Sequence, residues 1–226
     1  MSKVVLITGA TGGLGREVVR YFAGKNWQII ASAHEPVDDE IARLPSCQYI
    51  PCDCTDPMAV EELVSKTPDT LHAVVHLVGG IRAGMLLEET SPDDFEFMWR
   101  LNALSTYAVL RATVPRLKQN AGAFVAIAAK TVLHTEQRKA LYGAAKAAVV
   151  HLVLAAAEEG RAQGMRANVI APSIIATPAN IEWARERESE QWVPPQQIAQ
   201  LIHFLCSDEG QGITGCVIPM YGKIPA

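Results

Sequence analysis

Residues 4–15 read VVLITGATGGLG, an apolar, β-branched run that leads into a glycine-rich turn. The run is typical of a buried strand, and residues 14–23 have the apolar period of a helix. Glycines between a strand and a helix let the backbone turn tightly and approach a pyrophosphate at the helix N-terminus. An ordinary corner also uses glycine, but the position after the first strand favours a dinucleotide site. The predicted cofactor contacts in this turn are Thr8, Gly9, Thr11, Gly13, Leu14 and Gly15.

Outward from this turn, short Val- and Ile-rich runs alternate with longer segments of helical period. The predicted strands are residues 4–8, 28–33, 48–51, 73–77, 123–128, 166–171 and 216–220. The predicted helices are residues 14–23, 58–66, 92–119, 140–163 and 194–206. Such alternation is typical of βαβ units. We therefore expect one α/β domain over residues 1–226, a Rossmann-like doubly wound fold with a seven-stranded parallel sheet flanked by helices.

The composition is that of an ordinary globular protein. About half of the 226 residues are hydrophobic, 19% are charged, and the net charge is −4, which argues against a nucleic-acid partner. The chain reaches Gly9 too early for a signal peptide, and no later apolar run approaches the ~18 residues of a membrane span. We expect a cytoplasmic protein that acts on a small molecule without membrane attachment.

The five cysteines form an odd set, which predicts free thiols in a reducing compartment. Cys47, Cys52 and Cys54 lie close in sequence, but they supply only three ligands and have no neighbouring His. A structural zinc site needs a closed shell of four ligands. We therefore expect no metal site.

Tyr142 and Lys146 are four residues apart in a predicted helix, so they share one face. A phenol has a pKa near ~10, and it can exchange protons near neutrality only if an adjacent cation stabilises the phenolate. Lys146 is placed to be that cation. The alternative is an accidental pair on a solvated helix face.

Together these motifs resemble the short-chain dehydrogenase/reductase family over nearly the whole chain. That family has a Thr-Gly-x-x-x-Gly-x-Gly turn and a later Tyr-x-x-x-Lys pair. The matching positions here are Thr8, Gly9, Gly13, Gly15, Tyr142 and Lys146. The resemblance implies an NAD(P)-dependent oxidoreductase in which Tyr142 is the general acid and Lys146 also binds the nicotinamide ribose. It implies a homodimer or homotetramer packed through the helices that contain Asn102 and Tyr142.

Four further residues carry over from the same resemblance. Asp53, after the third strand, resembles the acid that contacts adenine, and Asn102 resembles the helix Asn that holds a proton-relay water. Thr177 resembles the residue that bonds the nicotinamide carboxamide, and Gly79 lies in the segment after the fourth strand that contacts cofactor. Ordinary helix or turn polarity is the alternative for Asn102 and Thr177.

The chain departs from the family pattern in two places. Residues 77–80 read LVGG where the family has Asn-Asn-Ala-Gly, and Ala129 stands where the catalytic Ser is expected, thirteen residues before Tyr142. Both departures resemble dihydropteridine reductase-like members, although Ile81 stands where those have Trp. The expected substrate is a carbonyl or a quinonoid ring such as a dihydropterin. The missing Ser has two explanations: Thr131 or another hydroxyl replaces it, or a ring substrate makes it unnecessary. The ring substrate is the favoured explanation. His134 is another residue that could face the substrate.

Residues 178–195 carry alternating charges around Trp183 and Trp192, which fits either a solvated helix or a mobile substrate lid. Their position late in the chain favours the lid.

The cofactor choice depends on the end of the second strand. Ala33 leaves room for a 2′-phosphate where NAD-specific relatives have an acid, and His34 and Arg16 supply positive charge. Glu35 would reverse this preference. NADPH is slightly favoured over NADH. The rival to an enzyme is a non-catalytic dinucleotide-binding sensor or scaffold.

Overall fold

A single parallel sheet organises the chain. The computed structural model describes residues 2–34, 39–185 and 188–225. Seven strands pair in the order β3-β2-β1-β4-β5-β6-β7, all parallel. They are β1 (Val4–Thr8), β2 (Gln28–Ser32), β3 (Cys47–Tyr49), β4 (Ala73–His76), β5 (Ala123–Ile127), β6 (Arg166–Pro172) and β7 (Val217–Met220). The predicted fold class is confirmed, and no strand end differs from the prediction by more than two residues.

Helices cover both faces of the sheet. They are α1 (Gly13–Ala23), α2 (Asp39–Ala42), α3 (Pro57–Ser65), α4 (Pro92–Met98), α5 (Ser105–Gln119), α6 (Ala140–Gly160), α7 (Pro178–Ile181) and α8 (Pro195–Cys206). Successive residues of β1 point to opposite faces: Leu6 packs in the cluster with Val60 of α3, and Ile7 in the cluster with Val18 of α1. Burial on both sides explains why the strands read as continuous apolar runs.

The helix predicted over residues 92–119 is continuous between the predicted bounds, but it is not α-helical throughout. A π-helical turn, Trp99–Leu104, separates α4 from α5 and carries Asn102. There the Asn102 side-chain amide donates to Met98 O at 3.0 Å, and the Ser105 hydroxyl donates to Leu101 O at 2.7 Å. Side chains that bond backbone carbonyls compete with the regular helical ladder. The spacing of apolar residues does not distinguish a π-helical turn from an α-helix. It also did not predict the short helices α2 and α7.

The expectation that no apolar segment is long enough to span a membrane does not hold for one helical stretch. Residues 140–163 form a 24-residue helical stretch that contains an 18-residue window with a mean hydropathy of 1.6, which meets that criterion by length and composition. In this fold Val149 and Val153 of the stretch are part of the core. The same stretch carries Tyr142 and Lys146.

Candidate active site

The turn after β1 can be made only by small residues. Gly9 has a φ of +72°, and a Cβ atom there would lie 3.0 Å from Val78 N. A Cβ atom on Gly15 would lie 2.1 Å from Gly9 O, and one on Gly13 would lie 2.8 Å from Thr177 Cβ. Glycine supplies both the left-handed conformation and the close approach. The turn therefore leaves the N-terminus of α1 open, with no side-chain cap on it.

Asn102 and Lys146 converge on the backbone at Gly79. Asn102 is fully buried; its Oδ1 accepts from Gly80 N at 3.2 Å, and its Nδ2 donates to Gly80 O at 3.1 Å. Lys146 Nζ donates to Ile127 O at 2.9 Å. A Cβ atom on Gly79 would lie 2.7 Å from Lys146 Nζ and 2.8 Å from Asn102 Oδ1. Residues from four separate segments of the chain thus meet at one point.

Burial controls the electrostatics of the Tyr142–Lys146 pair. It lowers the pKa of Lys146 to about 8. It raises the pKa of Tyr142 to about 12, and the charge of Glu136 acts in the same direction. The predicted lowering of the Tyr142 pKa by Lys146 is therefore not found in this form of the protein. The physical reason is desolvation of the phenol, and the Lys146 ammonium group donates its hydrogen bond to the Ile127 carbonyl.

Both side chains open into a cavity of about 490 Å³ at the carboxyl ends of the central strands. Sequence reasoning placed these lining residues at or near the site: Leu14, Gly79, Ala129, Thr131, Tyr142, Lys146 and, within the predicted lid, Asn180 and Trp183. It missed the wall formed by Glu136, Ser173 and Ile174. Residues 173–175 directly follow β6, so the rule that ligands bind beyond the carboxyl ends of strands would have found them. Glu136 lies in a loop, and no sequence pattern around it predicts that it lines the cavity.

The remaining predicted contacts lie outside this cavity. Thr11 and Gly13 line a more open cavity of about 810 Å³, together with Arg16. Thr177 caps α7, where its hydroxyl accepts from Asn180 N at 3.4 Å. Thr8 is buried in β1, with its hydroxyl 2.8 Å from His76 Nδ1.

Asp53 and His134 lie apart from Tyr142. Asp53 Oδ1 accepts from both the amide and the hydroxyl of Thr55, each at 2.8 Å. Burial raises the pKa of Asp53, but these hydrogen bonds outweigh it and hold the pKa below its usual range. His134 packs edge-on against the Tyr221 ring and does not line the cavity.

The end of β2 carries the residues predicted to select the cofactor. Ala33 is buried, and its carbonyl accepts from the Tyr49 hydroxyl at 3.1 Å. His34 is exposed. Arg16 Nε donates to Thr11 O at 2.8 Å, so the guanidinium lies beside the glycine-rich turn. Glu35 lies outside the described residues.

Residues 178–195 do not form the continuous solvated helix that was one alternative. They contain α7 and a short 3₁₀ turn, Glu188–Gln191, while Glu186 and Arg187 lie outside the described residues. Trp183 lines the cavity with 57% of its surface exposed, and its ring lies 5.0 Å from that of the buried Trp192. Val193 N donates to Ile174 O at 2.9 Å, which ties the end of the segment to the strand β6 extension.

All five cysteines are free thiols. Cys52 and Cys54 are buried and hydrogen-bond to each other, and Cys54 also bonds Thr8. Within residues 2–34, 39–185 and 188–225, no three His, Cys, Asp or Glu side chains are grouped as metal ligands would be.

Known proteins match this chain over almost its full length. A family model described as enoyl-(acyl carrier protein) reductase matches residues 9–222. A 3-oxoacyl-(acyl-carrier-protein) reductase from Thermotoga maritima is 30% identical, over 98% of this chain and 97% of its own length. The chain belongs to the short-chain dehydrogenase/reductase family. This member is an NAD(P)-dependent oxidoreductase, which confirms the family predicted from the glycine turn and the Tyr142–Lys146 pair.

Other relatives of this short-chain dehydrogenase/reductase support the same assignment. Meso-2,3-butanediol dehydrogenase from Serratia marcescens is 28% identical, over 100% of this chain and 95% of its own. The structure of ElxO with NADP bound has a TM-score of 0.90 at 27% identity and covers 98% of each chain. A family member from Mycobacterium ulcerans has a TM-score of 0.91 at 25% identity, over 99% of this chain and 90% of that one. None of these four names refers to a pterin, so the predicted resemblance to dihydropteridine reductase gains no support from them.

Proposed function

We propose that this enzyme is an NAD(P)H-dependent reductase acting on a carbonyl or quinonoid substrate, with Tyr142 as the general acid. The observation that carries the proposal is that Tyr142 and Lys146 line one cavity that also reaches Leu14 and Gly79. A proton donor, a cation and the edge of the glycine-rich turn thus border the same space. Substrate would occupy the part of the cavity between Tyr142 and Trp183.

The residues present fit a dinucleotide. A Cβ atom on Gly15 would clash with Gly9 O, so only glycine allows a turn this tight, and the turn leaves the N-terminus of α1 without a side-chain cap, where a diphosphate can bind backbone N–H groups. When bound, the cofactor supplies the hydride. Lys146 would hold its nicotinamide ribose, Thr177 its carboxamide and Asp53 its adenine. Gly79 keeps the space beside Lys146 Nζ free of a side chain.

Proton transfer is the part of the reaction assigned to the chain itself. With a pKa of about 12, the Tyr142 phenol is protonated at neutral pH, which supports donation to a substrate oxygen in the direction of reduction. Lys146 would be the cation nearest the resulting phenolate, which would recover a proton from solvent through a water held at Asn102. In the direction of oxidation, Tyr142 would have to act as a base in its phenolate form, and burial disfavours the phenolate.

NADPH is the preferred cofactor in this proposal. Ala33 places no carboxylate at the end of β2, and Arg16 lines the open cavity beside Thr11 and Gly13. A guanidinium at that position favours a 2′-phosphate. ElxO, the relative with a TM-score of 0.90, was solved with NADP.

Two substrate classes fit the site to different degrees. Relatives named for butanediol and 3-oxoacyl groups support a carbonyl substrate. The absence of a hydroxyl on Ala129 supports a ring such as a quinonoid dihydropterin, whose reduction builds less charge on one oxygen. Residues 178–195 would form the lid over either substrate, with Trp183 as its apolar contact.

Assembly and location complete the proposal. We infer a homodimer or homotetramer packed through the helices that contain Asn102 and Tyr142, because Phe95 and Trp99 stack on each other while exposed and Tyr107 is also exposed. Exposed aromatic clusters mark protein interfaces. The five free thiols support a reducing compartment such as the cytoplasm.

The test is oxidation of NADPH and NADH by the purified enzyme in the presence of 2,3-butanedione, an aldehyde, a quinone and a quinonoid dihydropterin. We expect turnover of at least one of these and its loss in Tyr142→Phe. Tight NADPH binding without turnover on the whole panel would instead support the sensor or scaffold alternative.

A further inference from the structure

The hydroxyl of Thr131 is buried beside the candidate active site. It lies in the 3₁₀ turn Lys130–Val132, which comes after β5, and only 8% of its surface is exposed. Within the part of the chain that the structure describes, its Oγ1 has no hydrogen-bond partner. The residue lines the same cavity as Tyr142 and Ala129.

Other buried threonines of the chain do not share this property. Thr106 Oγ1 donates to Asn102 O at 2.7 Å, and Thr113 Oγ1 donates to Val109 O at 2.7 Å. Leaving a buried hydroxyl unpaired is unfavourable, so such groups persist where a ligand completes their hydrogen bonding. The buried hydroxyls of Ser32 and Tyr221 also lack a partner, but of the three only Thr131 lines the cavity with Tyr142.

Two neighbours of Thr131 have no side chain that could be its partner. Across from it, α6 has Gly143, where even an added Cβ atom would stay 4.0 Å from Thr131 Oγ1. Ala129, two residues earlier, carries no polar group. Because Thr131 lines the cavity, a group bound there beside Tyr142 can supply the acceptor.

We propose that the Thr131 hydroxyl donates a hydrogen bond to the same substrate oxygen that receives the Tyr142 proton. This rests on the proposed function and narrows it: the substrate class is a carbonyl compound, whose oxygen gains negative charge during reduction. Thr131 breaks no bond. Its hydrogen stays on Oγ1, the proton comes from Tyr142, and the carbonyl carbon is reduced by the cofactor. Thr131 thereby supplies the donor that Ala129 lacks.

The experiment compares Thr131→Val with Thr131→Ser. With 2,3-butanedione and NADPH, we expect Thr131→Val to lower kcat at least about tenfold, since one preorganised donor contributes ~10²–10³ in kcat. Thr131→Ser, which keeps the hydroxyl, should stay within about threefold of the wild type. The KM for NADPH should not change in either variant.

Thermal unfolding supplies a readout that does not depend on turnover. Thr131→Val removes a hydroxyl without a partner, so the Tm should stay the same or rise. Thr113→Val is the matched control, because it removes a satisfied hydroxyl in α5; its Tm should fall while its kcat is unchanged.

Each contrary result has a distinct meaning. A wild-type kcat in Thr131→Val would overturn the inference and leave the proposed function intact. The same holds if the enzyme reduces a quinonoid dihydropterin and Thr131→Val does so at the wild-type rate. A fall in Tm equal to that of Thr113→Val, with no rescue by Ser, would show a structural hydroxyl and overturn it as well. Absence of any turnover by the wild type would overturn the proposed function itself.

Discussion

Lys146 Nζ lies against the backbone of Gly79, where an added Cβ atom would be 2.7 Å away. The same Cβ atom would be 2.8 Å from Asn102 Oδ1, whose side chain is held by hydrogen bonds to Gly80 and Met98. Contacts below 3.0 Å require something to move. Because Asn102 is pinned, the flexible end of Lys146 has to yield.

Gly79→Ala should therefore damage catalysis more than stability. Displacing Lys146 removes the cation beside Tyr142, and we expect kcat to fall by about tenfold or more, within the range assigned to general acid–base assistance. Gly212→Ala is the matched control, since nothing lies within 4 Å of a Cβ atom there. Steady-state kinetics of both variants with NADPH measure the difference; equal kcat values would contradict the crowding argument.

Tyr142→Phe separates chemistry from binding. The phenol acts on substrate, so we expect kcat to fall by ~10²–10⁴ while NADPH affinity stays near the wild-type value. A structure of ElxO in which a tyrosine-to-phenylalanine variant holds NADPH has a TM-score of 0.88 to this chain, so a change of this kind is compatible with cofactor binding there.

Lys146→Ala should behave differently from Tyr142→Phe, because Lys146 has two proposed roles. Both kcat and NADPH affinity should decrease. Fluorescence titration with NADPH and steady-state rates measure the two effects separately. If Tyr142→Phe kept more than about a tenth of kcat, the general-acid role would be untenable.

His76 should make folding stability depend on pH. Its Nδ1 lies 2.8 Å from Thr8 Oγ1 and its Nε2 lies 3.3 Å from Ser105 Oγ. Because the Ser105 hydroxyl donates to Leu101 O, Nε2 must be the donor and Nδ1 the acceptor, which describes one neutral tautomer. Burial, helped by the charge of Lys146, lowers the pKa of His76 to about 3.

The sign follows from this depressed pKa. Below a pH of ~6.5 the unfolded chain binds a proton at His76 that the folded protein does not, so stability decreases as pH falls toward about 3. The loss from this one group approaches ~1.4 kcal/mol per pH unit. Urea unfolding at several pH values should show a shallower dependence in His76→Gln than in the wild type. His151→Gln, at an exposed position of α6, is the control and should keep the wild-type slope.

Ala33→Asp should reverse the cofactor preference. A carboxylate at the end of β2 would bond a ribose 2′-hydroxyl and repel a 2′-phosphate. We expect kcat/KM for NADPH to exceed that for NADH in the wild type and the order to invert in the variant. The parallel substitution His34→Gln, at the exposed neighbour, should shift the ratio less. A wild-type ratio that favours NADH by tenfold would contradict the proposed preference.

Local rules of the chain determined the frame of this protein. The strand–turn–helix unit of residues 4–23 follows from β-branched residues, from glycines with special backbone conformations and from helical period, all of which act over a few residues. The sharing of one helix face by Tyr142 and Lys146 follows from the same short-range geometry. These features were sufficient to predict the sheet and the family.

Tertiary structure alone decided how the site works. Gly79, Asn102 and Lys146 meet only because β4, the π-helical turn and α6 pack together, and the direction of the Tyr142 pKa shift comes from desolvation by residues distant in sequence. Glu136 and the unpaired hydroxyl of Thr131 likewise lie at the site only because other segments enclose the cavity that they line. Burial and electrostatic contacts depend on the complete set of neighbours of a residue, and a linear pattern contains only the neighbours along the chain.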